Sequence, residues 1–173
     1  MNKLTEYDLQ MAVMNYHSPF SGKSLIPNMS TGWGEADILM LSKAGYATEY
    51  EIKVSRSDFA ADKNKVEKHE AFSKVYYNEP FVWWNNKPRN IKGIPNYFIY
   101  VVPDYFNIKT LKLPEYAGLW VIKDGRIVSD KIAPKIHKEK HKEFWLEKMA
   151  RSFSRKYYYH YFKELPNSVE TEK

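Results

Sequence analysis

Polar and apolar residues alternate along residues 49–54, as they do in a strand whose two faces differ. A second stretch, 35–41, precedes it and ends in an apolar run, and the break between the two contains a glycine. The pattern predicts two antiparallel strands joined by a hairpin turn. Because residues two apart share a strand face, Glu51 and Lys53 should point the same way, and Asp37 can lie beside them on the neighbouring strand.

Three longer segments carry apolar residues at helical spacing and predict helices over 5–16, 58–76 and 138–162. Thr5, followed three residues later by Asp8, has the pattern of a capped helix start. The second helix has an apolar side formed by Phe59, Val66 and Phe72, and a polar, mostly basic side formed by Lys63, Lys65, Lys68 and His69. The third has an apolar stripe formed by Leu146, Met149, Ala150, Phe153 and Tyr157, and a basic face formed by Lys148, Arg151 and Arg155.

Two further patterns predict strands. The apolar run 97–102 ends at Pro103, as expected for a strand buried on both faces. Asp124-Gly125 separates the stretches 118–123 and 126–132 and is a strong signal for a β-hairpin.

The remaining segments, 17–34, 77–96 and 103–117, are mostly loop-like, with a short strand expected near Leu25-Ile26. The order of elements predicts an α/β fold in which a mixed sheet is flanked by helices. We expect one domain over 1–165 and a flexible tail over 166–173, since 173 residues suffice for a single sizeable core.

Composition narrows the function classes. The chain has no cysteine, which excludes a disulfide scaffold, a thiol nucleophile and cysteine-based zinc sites. No uninterrupted apolar run approaches the roughly 20 residues that a membrane span needs, and the N-terminal residues lack a signal-peptide core. We therefore expect a soluble, cytoplasmic protein without a membrane partner.

The net charge of +6 is concentrated in one segment. Residues 131–156 hold nine Lys or Arg and three Glu, and the rest of the chain is neutral. Such a segment is typical of a polyanion-binding strip, and the alternative is a solvated helix face.

The expected meeting of Asp37, Glu51 and Lys53 suits metal-assisted hydrolysis. Mg²⁺ prefers oxygen ligands and usually takes one or two protein carboxylates, so Asp37 and Glu51 are candidate ligands, with the carbonyl of Ile52 as a third. Lys53 could orient or help deprotonate a water, or offset charge on a phosphate. The alternative is an ordinary exposed sheet face with cross-strand ion pairs.

Asp37 followed by Glu51-Ile52-Lys53 resembles the signature of the PD-(D/E)xK nuclease superfamily. The continuation, residues 51–59 and then Asp62-Lys63, resembles the MmcB-like DNA-repair branch and related small phage proteins of that fold. Residues 36–39 resemble the first catalytic strand of that group. The further matches lie at 95–98, 101–103, 116–119 and 133–137, so that the resemblance covers roughly residues 32–137.

The resemblance implies a restriction-endonuclease-like core of order αβββαβ, Mg²⁺ or Mn²⁺ as cofactor and DNA as substrate. Asp37, Glu51 and Lys53 would be the catalytic residues. Relatives often place an extra acid on the first helix, where this chain has Glu6, and the likeness to the phage relatives makes His69 an accessory candidate.

Other candidates rest on position. Glu35 shares the predicted face of Asp37 and is either an accessory ligand or a loop residue, whereas we expect Glu49 to be a solvated strand residue. The expected phosphate contacts are Arg56, Lys63, Lys148, Arg151 and Arg155. Trp83 and Trp84 could stack on unpaired bases or pack against the core.

The sequence thus favours a metal-dependent deoxyribonuclease in DNA repair, recombination or phage DNA metabolism. Two alternatives stay open: a catalytically inactive nuclease-fold module that binds nucleic acid, and a phage protein that acts on another protein. The tyrosine-rich stretch 157–159 and the aromatic segment 77–96 are candidate surfaces for the latter.

Overall fold

A six-stranded mixed sheet with helices on both faces forms the framework of the protein. The computed structural model describes residues 3–18, 20–78, 82–84, 87–89 and 91–162. The strands are β1 (Ser24–Ser30), β2 (Glu35–Leu41), β3 (Ala47–Ile52), β4 (Val82–Trp84), β5 (Lys87–Arg89), β6 (Tyr97–Pro103), β7 (Ala117–Lys123) and β8 (Arg126–Lys131). The helices are α1 (Glu6–His17), α2 (Arg56–Ala61), α3 (Val66–Tyr76) and α4 (Lys142–Phe162), with 3₁₀ turns at Asp62–Asn64, Ile91–Gly93 and Ile108–Thr110.

The main sheet has the order β1-β2-β3-β6-β7-β8. β1, β2 and β3 pair antiparallel, β3-β6 and β6-β7 pair parallel, and β8 returns antiparallel to β7. The chain order from α1 to β6 confirms the expected αβββαβ core within an α/β fold. The added hairpin is also confirmed, with its turn residues Asp124 and Gly125 both at positive φ.

Each face of the sheet has its own helix layer. On one face, Leu9 and Val13 of α1 pack against Ile38, Tyr50 and Ile52. On the other face, α3 packs over β6, where Phe72 contacts Phe98. The N-terminal half of α4 covers β1 and β2 on that second face, with Trp145 buried against the core.

The edges of the sheet are β1 and β8. β1 contains Pro27, which lacks an N–H and is tolerated in edge strands. β8 is mostly exposed and carries charges at both ends, from Arg126 to Lys131.

Several expected boundaries were wrong. The helix expected over 58–76 is broken by the 3₁₀ turn at Asp62–Asn64, and the third helix begins at Lys142 instead of 138. The segment 77–96, expected to be irregular, contains the antiparallel pair β4-β5. The strand expected near Leu25-Ile26 exists and is longer, and the tail at 166–173 lies outside the described residues.

The expected apolar stripe of α4 was wrong in phase. The buried residues of this helix are Trp145, Met149 and Ser152, whereas Leu146, Phe153 and Tyr157 are exposed. The prediction pointed Phe153 and Tyr157 toward the core. In the structure the indole of Trp145 faces the sheet, and the rings of Phe153 and Tyr157 face solvent.

Candidate functional site

The pairing of β2 with β3 brings Asp37 and Glu51 together. Ile38 lies opposite Tyr50, so the next position along each strand places Asp37 beside Glu51. The main-chain N–H of Ile52 donates to Asp37 Oδ2 over 2.6 Å. Two carboxylates therefore share one place on the sheet face that α3 and α4 cover.

Three lysines surround the carboxylate of Glu51. Lys53 Nζ donates to its Oε1 over 2.9 Å, Lys65 donates to the same oxygen, and Lys68 Nζ donates to Oε2 over 2.8 Å. Burial raises the pKa of Glu51, but the ammonium groups, led by that of Lys68, outweigh it and hold the pKa below its ordinary value. Glu51 is therefore an anion inside the fold.

Lys68, on α3, is itself buried, with 2% of its surface exposed. Its ammonium lies 2.5 Å from Glu49 Oε1 and bridges that carboxylate to Glu51. Burial lowers the pKa of Lys68, but Glu49 and Glu51 outweigh it and raise the pKa above its ordinary value. The expectations of a solvated Glu49 and of Lys68 on a polar helix side were therefore wrong, since both side chains are buried and in contact. Burial raises the pKa of Glu49, and Lys68 offsets only part of that.

Asp62 belongs to this cluster, although the sequence placed it only in the string that resembles the nuclease branch and not among the site candidates. Its carboxylate accepts from Tyr100 Oη over 2.6 Å and from His69 Nε2 over 2.8 Å, and it lies 3.1 Å from Lys53 Nζ. Burial raises its pKa, but these hydrogen bonds and the lysines hold it well below the usual range. A signal was present: Asp62 follows Phe59 by three residues and so falls on the buried side of the helical pattern.

His69 joins the cluster from α3. Beside its contact with Asp62, its Nδ1 lies 2.6 Å from the hydroxyl of Tyr116. The two ring nitrogens thus connect a buried carboxylate to a buried phenol, which fixes the plane of the ring.

Lys53 follows the last residue of β3 and lies between two carboxylates. Its Nζ contacts Glu51 and Asp62, and Asp58 Oδ1 lies 3.5 Å away. Burial lowers its pKa, but these carboxylates outweigh it and raise the pKa above its ordinary value. Lys53 is therefore a fixed cation here, suited to stabilising negative charge and unsuited to removing a proton.

Asp37 differs from Glu51 and Asp62, whose pKa values are lowered. Burial and the charge of Glu51 raise its pKa to about 7, and the Ile52 N–H, Lys53 and Lys65 offset only part of that. Apart from Asp58, which is 43% exposed at the edge of the cluster, four carboxyl groups (Asp37, Glu49, Glu51 and Asp62) stand against three lysines, so full ionisation leaves at least one excess negative charge. A bound cation would favour the ionised form of Asp37.

Asp37 and Glu51 keep limited acceptor capacity beside the three lysines. A carboxylate has about four acceptor positions, and Glu51 Oε2 accepts one hydrogen bond from Lys68, while Ile52 occupies Asp37 Oδ2. One oxygen of each carboxylate thus keeps acceptor capacity. Within the described ranges, no group of three or more His, Asp or Glu side chains is arranged to hold a metal ion, so any such site would rest on these two carboxylates and main-chain oxygen.

A cleft of about 330 Å³ opens beside the cluster. Gly34 and Glu35 from the start of β2 line one side, and Asn64, Lys65 and Lys68 line the other. The Lys65 side chain, 41% exposed, is the member of the lysine trio that reaches solvent. Glu35 is thus placed on the cleft wall.

The other expected contacts are more scattered. Glu6 is exposed in the first turn of α1, and Gln10, one turn later, donates to the main-chain oxygen of Asp37 over 3.4 Å. Arg56 is tied to a loop by donating to Thr110 Oγ1 over 3.1 Å. Lys63 is exposed on the 3₁₀ turn beside the cluster.

The expected basic face of α4 is split. Lys148 is half-buried, and its ammonium donates to the carbonyl of Thr31 over 3.0 Å. Arg151 and Arg155 are exposed. Trp83 and Trp84 belong to β4, and their side chains lie outside the described parts of the chain.

No family model and no curated protein matches this sequence. The fold is similar to that of a protein of unknown function from Silicibacter pomeroyi, with a TM-score of 0.63, 17% sequence identity, and coverage of 98% of this chain and 100% of that one. At this identity the likeness shows the fold alone. In the part of the chain that the structure describes, no helix has the length and apolar character needed to cross a membrane.

Proposed function

We propose that this protein is a metal-dependent deoxyribonuclease of the PD-(D/E)xK type that hydrolyses phosphodiester bonds in DNA repair, recombination or phage DNA metabolism. One observation carries the proposal: Asp37 and Glu51 lie side by side on adjacent strands, with Lys53 bonded to Glu51. The sequence resemblance expects these three residues to meet, and Lys65 and Lys68, which pair with Glu51, line a cleft open to solvent.

Asp37 and Glu51, with the main-chain oxygen of Ile52, would hold Mg²⁺ or Mn²⁺. Such an ion supplies positive charge to a phosphate and makes a bound water more acidic. Lys53 contributes a second positive charge whose position is fixed from two sides by Glu51 and Asp62. A fixed charge needs no reorganisation as negative charge develops on the phosphate, and this is how such groups accelerate reactions.

Lys65 adds an adaptable cation at the mouth of the cleft. It pairs with Glu51 and lies 3.2 Å from Asp62, yet two-fifths of its side chain is exposed. An incoming phosphate can reach this ammonium from solvent, and Lys53 and Lys68 would keep Glu51 paired if it moved. That movement would free one acceptor position on Glu51 Oε1, which Lys53 also contacts.

The test is cleavage of single-stranded, nicked, flapped and branched DNA with Mg²⁺, Mn²⁺ or EDTA. We expect cleavage that requires the metal and falls by about 100-fold or more in Asp37→Asn and Lys53→Met, in line with the loss of one charge-stabilising group. Glu67→Gln is the matched control, because Glu67 lines the same cleft, is exposed and lies outside the cluster. Equal products from wild type and both site variants would reject the proposal.

A second candidate function follows from a different observation. Glu51 is satisfied by lysines alone, so the cluster can also be read as a structural ion network in a nuclease-fold module that binds nucleic acid without cutting it. This candidate predicts salt-sensitive DNA binding without turnover. Calorimetric titration with Mg²⁺ and Mn²⁺ separates the two, since heat that disappears in Asp37→Asn supports the nuclease and its absence in wild type supports the module.

A further inference from the structure

The C-terminal half of α4 is exposed to solvent, unlike the N-terminal half, which covers β1 and β2. Ser152 is the last buried residue of this helix, and every residue from 153 to 162 is exposed. Six of these ten residues are aromatic, with 41–64% of their surface exposed: Phe153, Tyr157, Tyr158, Tyr159, Tyr161 and Phe162. Contiguous exposed aromatic surface of this kind marks a site of interaction.

Several of these rings already lie against one another along the helix. Tyr157 and Tyr161, four residues apart, have ring centroids 4.6 Å apart, and Tyr158 and Phe162 stack at 5.8 Å with 27° between their planes. Phe153 extends the first pair, 6.2 Å from Tyr157. Rings held in this way lose little further freedom when a flat ligand stacks on them.

The charge of this segment identifies the class of partner. No acidic residue occurs from Lys148 to Phe162. Arg151 and Arg155 are exposed, and Tyr158 and Phe162 continue the same helix face at spacings of three and four residues. A second copy of this chain would bring like charges together, whereas a polyanion would be attracted.

Rows of rings beside arginines suit unpaired nucleic acid better than a duplex. Aromatic side chains stack on the flat faces of bases, which are hidden in a duplex and available in a single strand. Arginine contacts the phosphates between them. Four of the six rings are tyrosines, whose hydroxyl groups favour a wet surface over insertion into lipid.

Part of this helix segment lies near the cleft. Lys156 donates to the carbonyl of Pro27 and interacts electrostatically with Glu35, which lines the cleft. Lys148 binds the carbonyl of Thr31, in the loop that leads to the same wall. A strand lying along the exposed half of α4 therefore leads toward the cleft wall that Glu35 forms.

We propose that residues 151–162 of α4 form a binding platform for single-stranded DNA. Two adjoining rows of rings, Tyr157 with Tyr161 and Tyr158 with Phe162, stack with unpaired bases, while Arg151 and Arg155, on the face of the second row, contact phosphates. The platform rests on the proposed function for its role, since it would present unpaired DNA to the nuclease site. It binds DNA whether or not that site is active.

The test uses fluorescence anisotropy with the full chain in EDTA, so that cleavage does not interfere. The probes are labelled oligo(dT) of about 15 nucleotides, matching the site sizes of single-strand binders, and a duplex of the same length. We expect tighter binding of oligo(dT) than of the duplex. Tyr157→Ala, Tyr158→Ala and Tyr161→Ala should each weaken oligo(dT) binding about 5- to 100-fold, the range for loss of one stacking ring.

Matched variants separate stacking from other effects. Tyr→Phe at the same three positions keeps the ring and should retain oligo(dT) affinity within about 3-fold, since stacking needs the ring and not the hydroxyl. Tyr7→Ala removes an equally exposed ring from α1 and should change nothing. Circular dichroism melts of all variants should match wild type, because none of these rings is buried.

Combining Tyr157→Ala, Tyr158→Ala and Tyr161→Ala gives a triple alanine variant. The platform is overturned by equal affinity for oligo(dT) and duplex, by unchanged oligo(dT) binding in the triple alanine variant, or by a wild-type dimer in sedimentation that this variant abolishes. Preferential binding of anionic lipid vesicles would overturn it as well. Failure of the nuclease proposal looks different, since Asp37→Asn would then bind oligo(dT) as wild type does while no protein cuts DNA in any metal. If wild type cuts DNA and the triple alanine variant cuts single strands as well as wild type does, the platform alone is rejected.

Discussion

At the scale of single residues, Lys68 is the cation that two buried carboxyl groups share. Its ammonium lies between Glu49 and Glu51, and all three residues are nearly inaccessible to solvent. A buried ion pair contributes little net stability, but removing one partner leaves an uncompensated charge. The position of Lys68 is therefore far less tolerant of change than that of Lys65, which reaches solvent.

Replacement of Lys68 by methionine should lower the free energy of unfolding by about 3–5 kcal/mol, because two buried carboxylates lose their shared cation. Lys65→Met, which removes the partly exposed lysine of the same cluster, should cost about 1 kcal/mol or less. Urea denaturation at pH 7.5 measures both. Equal losses in the two variants would contradict the distinction.

The sequence indicated part of this site and missed the rest for a definite reason. Strand alternation sufficed to place Asp37 near Glu51, because register and period are local properties. Lys68 reaches Glu49 across 19 residues, from a helix whose surface pattern looked basic and solvated. Periodicity shows which residues share a face but not which part of the protein packs against that face. The burial of Glu49 and of Lys68 was therefore not predicted.

At the scale of elements, the break between α2 and α3 shapes the site. A single helix over 58–76 was expected, but the 3₁₀ turn at Asp62–Asn64 intervenes and Lys65 leaves helical geometry with ψ at 51°. Asp and Asn compete with helical hydrogen bonds through their own side chains, which explains the interruption. The break turns Asp62 toward Lys53 and lets α3 run over β6.

The chain near Ala133 passes so close to β7 that it leaves no room for a side chain at Gly118. A Cβ on Gly118 would lie 2.8 Å from the main-chain nitrogen of Ala133. Gly118→Ala should therefore lower the free energy of unfolding by about 1–3 kcal/mol through overpacking against backbone. The measurement is thermal unfolding.

Gly125→Asn serves as the control for that prediction. Gly125 lies in the β7-β8 turn at φ +71°, with nothing within 4 Å of an added Cβ. Asparagine tolerates this left-handed geometry, so the melting temperature should stay close to that of wild type. A larger loss at Gly125 than at Gly118 would show that turn geometry, and not the close approach of the chain near Ala133, limits the β7 region.

At the scale of the whole molecule, one face of the sheet holds a largely buried acid, Asp37, and the other face holds a buried base, His17. Asp37 lies on the face of α3 and α4, and its pKa is raised to about 7 by burial and by Glu51. His17 lies on the α1 face, where its Nε2 is 2.5 Å from Tyr50 Oη, and burial and Lys23 lower its pKa to about 4. The two groups give folding stability opposite dependences on pH.

The signs follow from proton binding. Between pH values of about 4 and 7 the folded state holds a proton on Asp37 that the unfolded chain has released, so this group makes stability fall as pH rises. Between about 4 and 6.5 the unfolded chain protonates His17 and the folded state does not, so this group makes stability rise with pH.

Urea denaturation in EDTA from pH 4.5 to 7.5 tests both assignments. Relative to wild type, Asp37→Asn should gain stability as pH rises, by on the order of 1–2 kcal/mol across the range after allowance for partial exposure. His17→Gln should lose stability relative to wild type as pH rises over the same range. Parallel pH profiles for the three proteins would contradict both assignments.

The two edge strands have a consequence for how the molecule meets other chains. A sheet that ends in a proline-bearing β1 and a charged, exposed β8 discourages the addition of further strands. Association through a continuous intermolecular sheet, whether ordered or fibrillar, is thereby disfavoured at both ends. Concentrated solutions of this protein should remain free of cross-β assemblies, and any assembly that does form should be built through the helices.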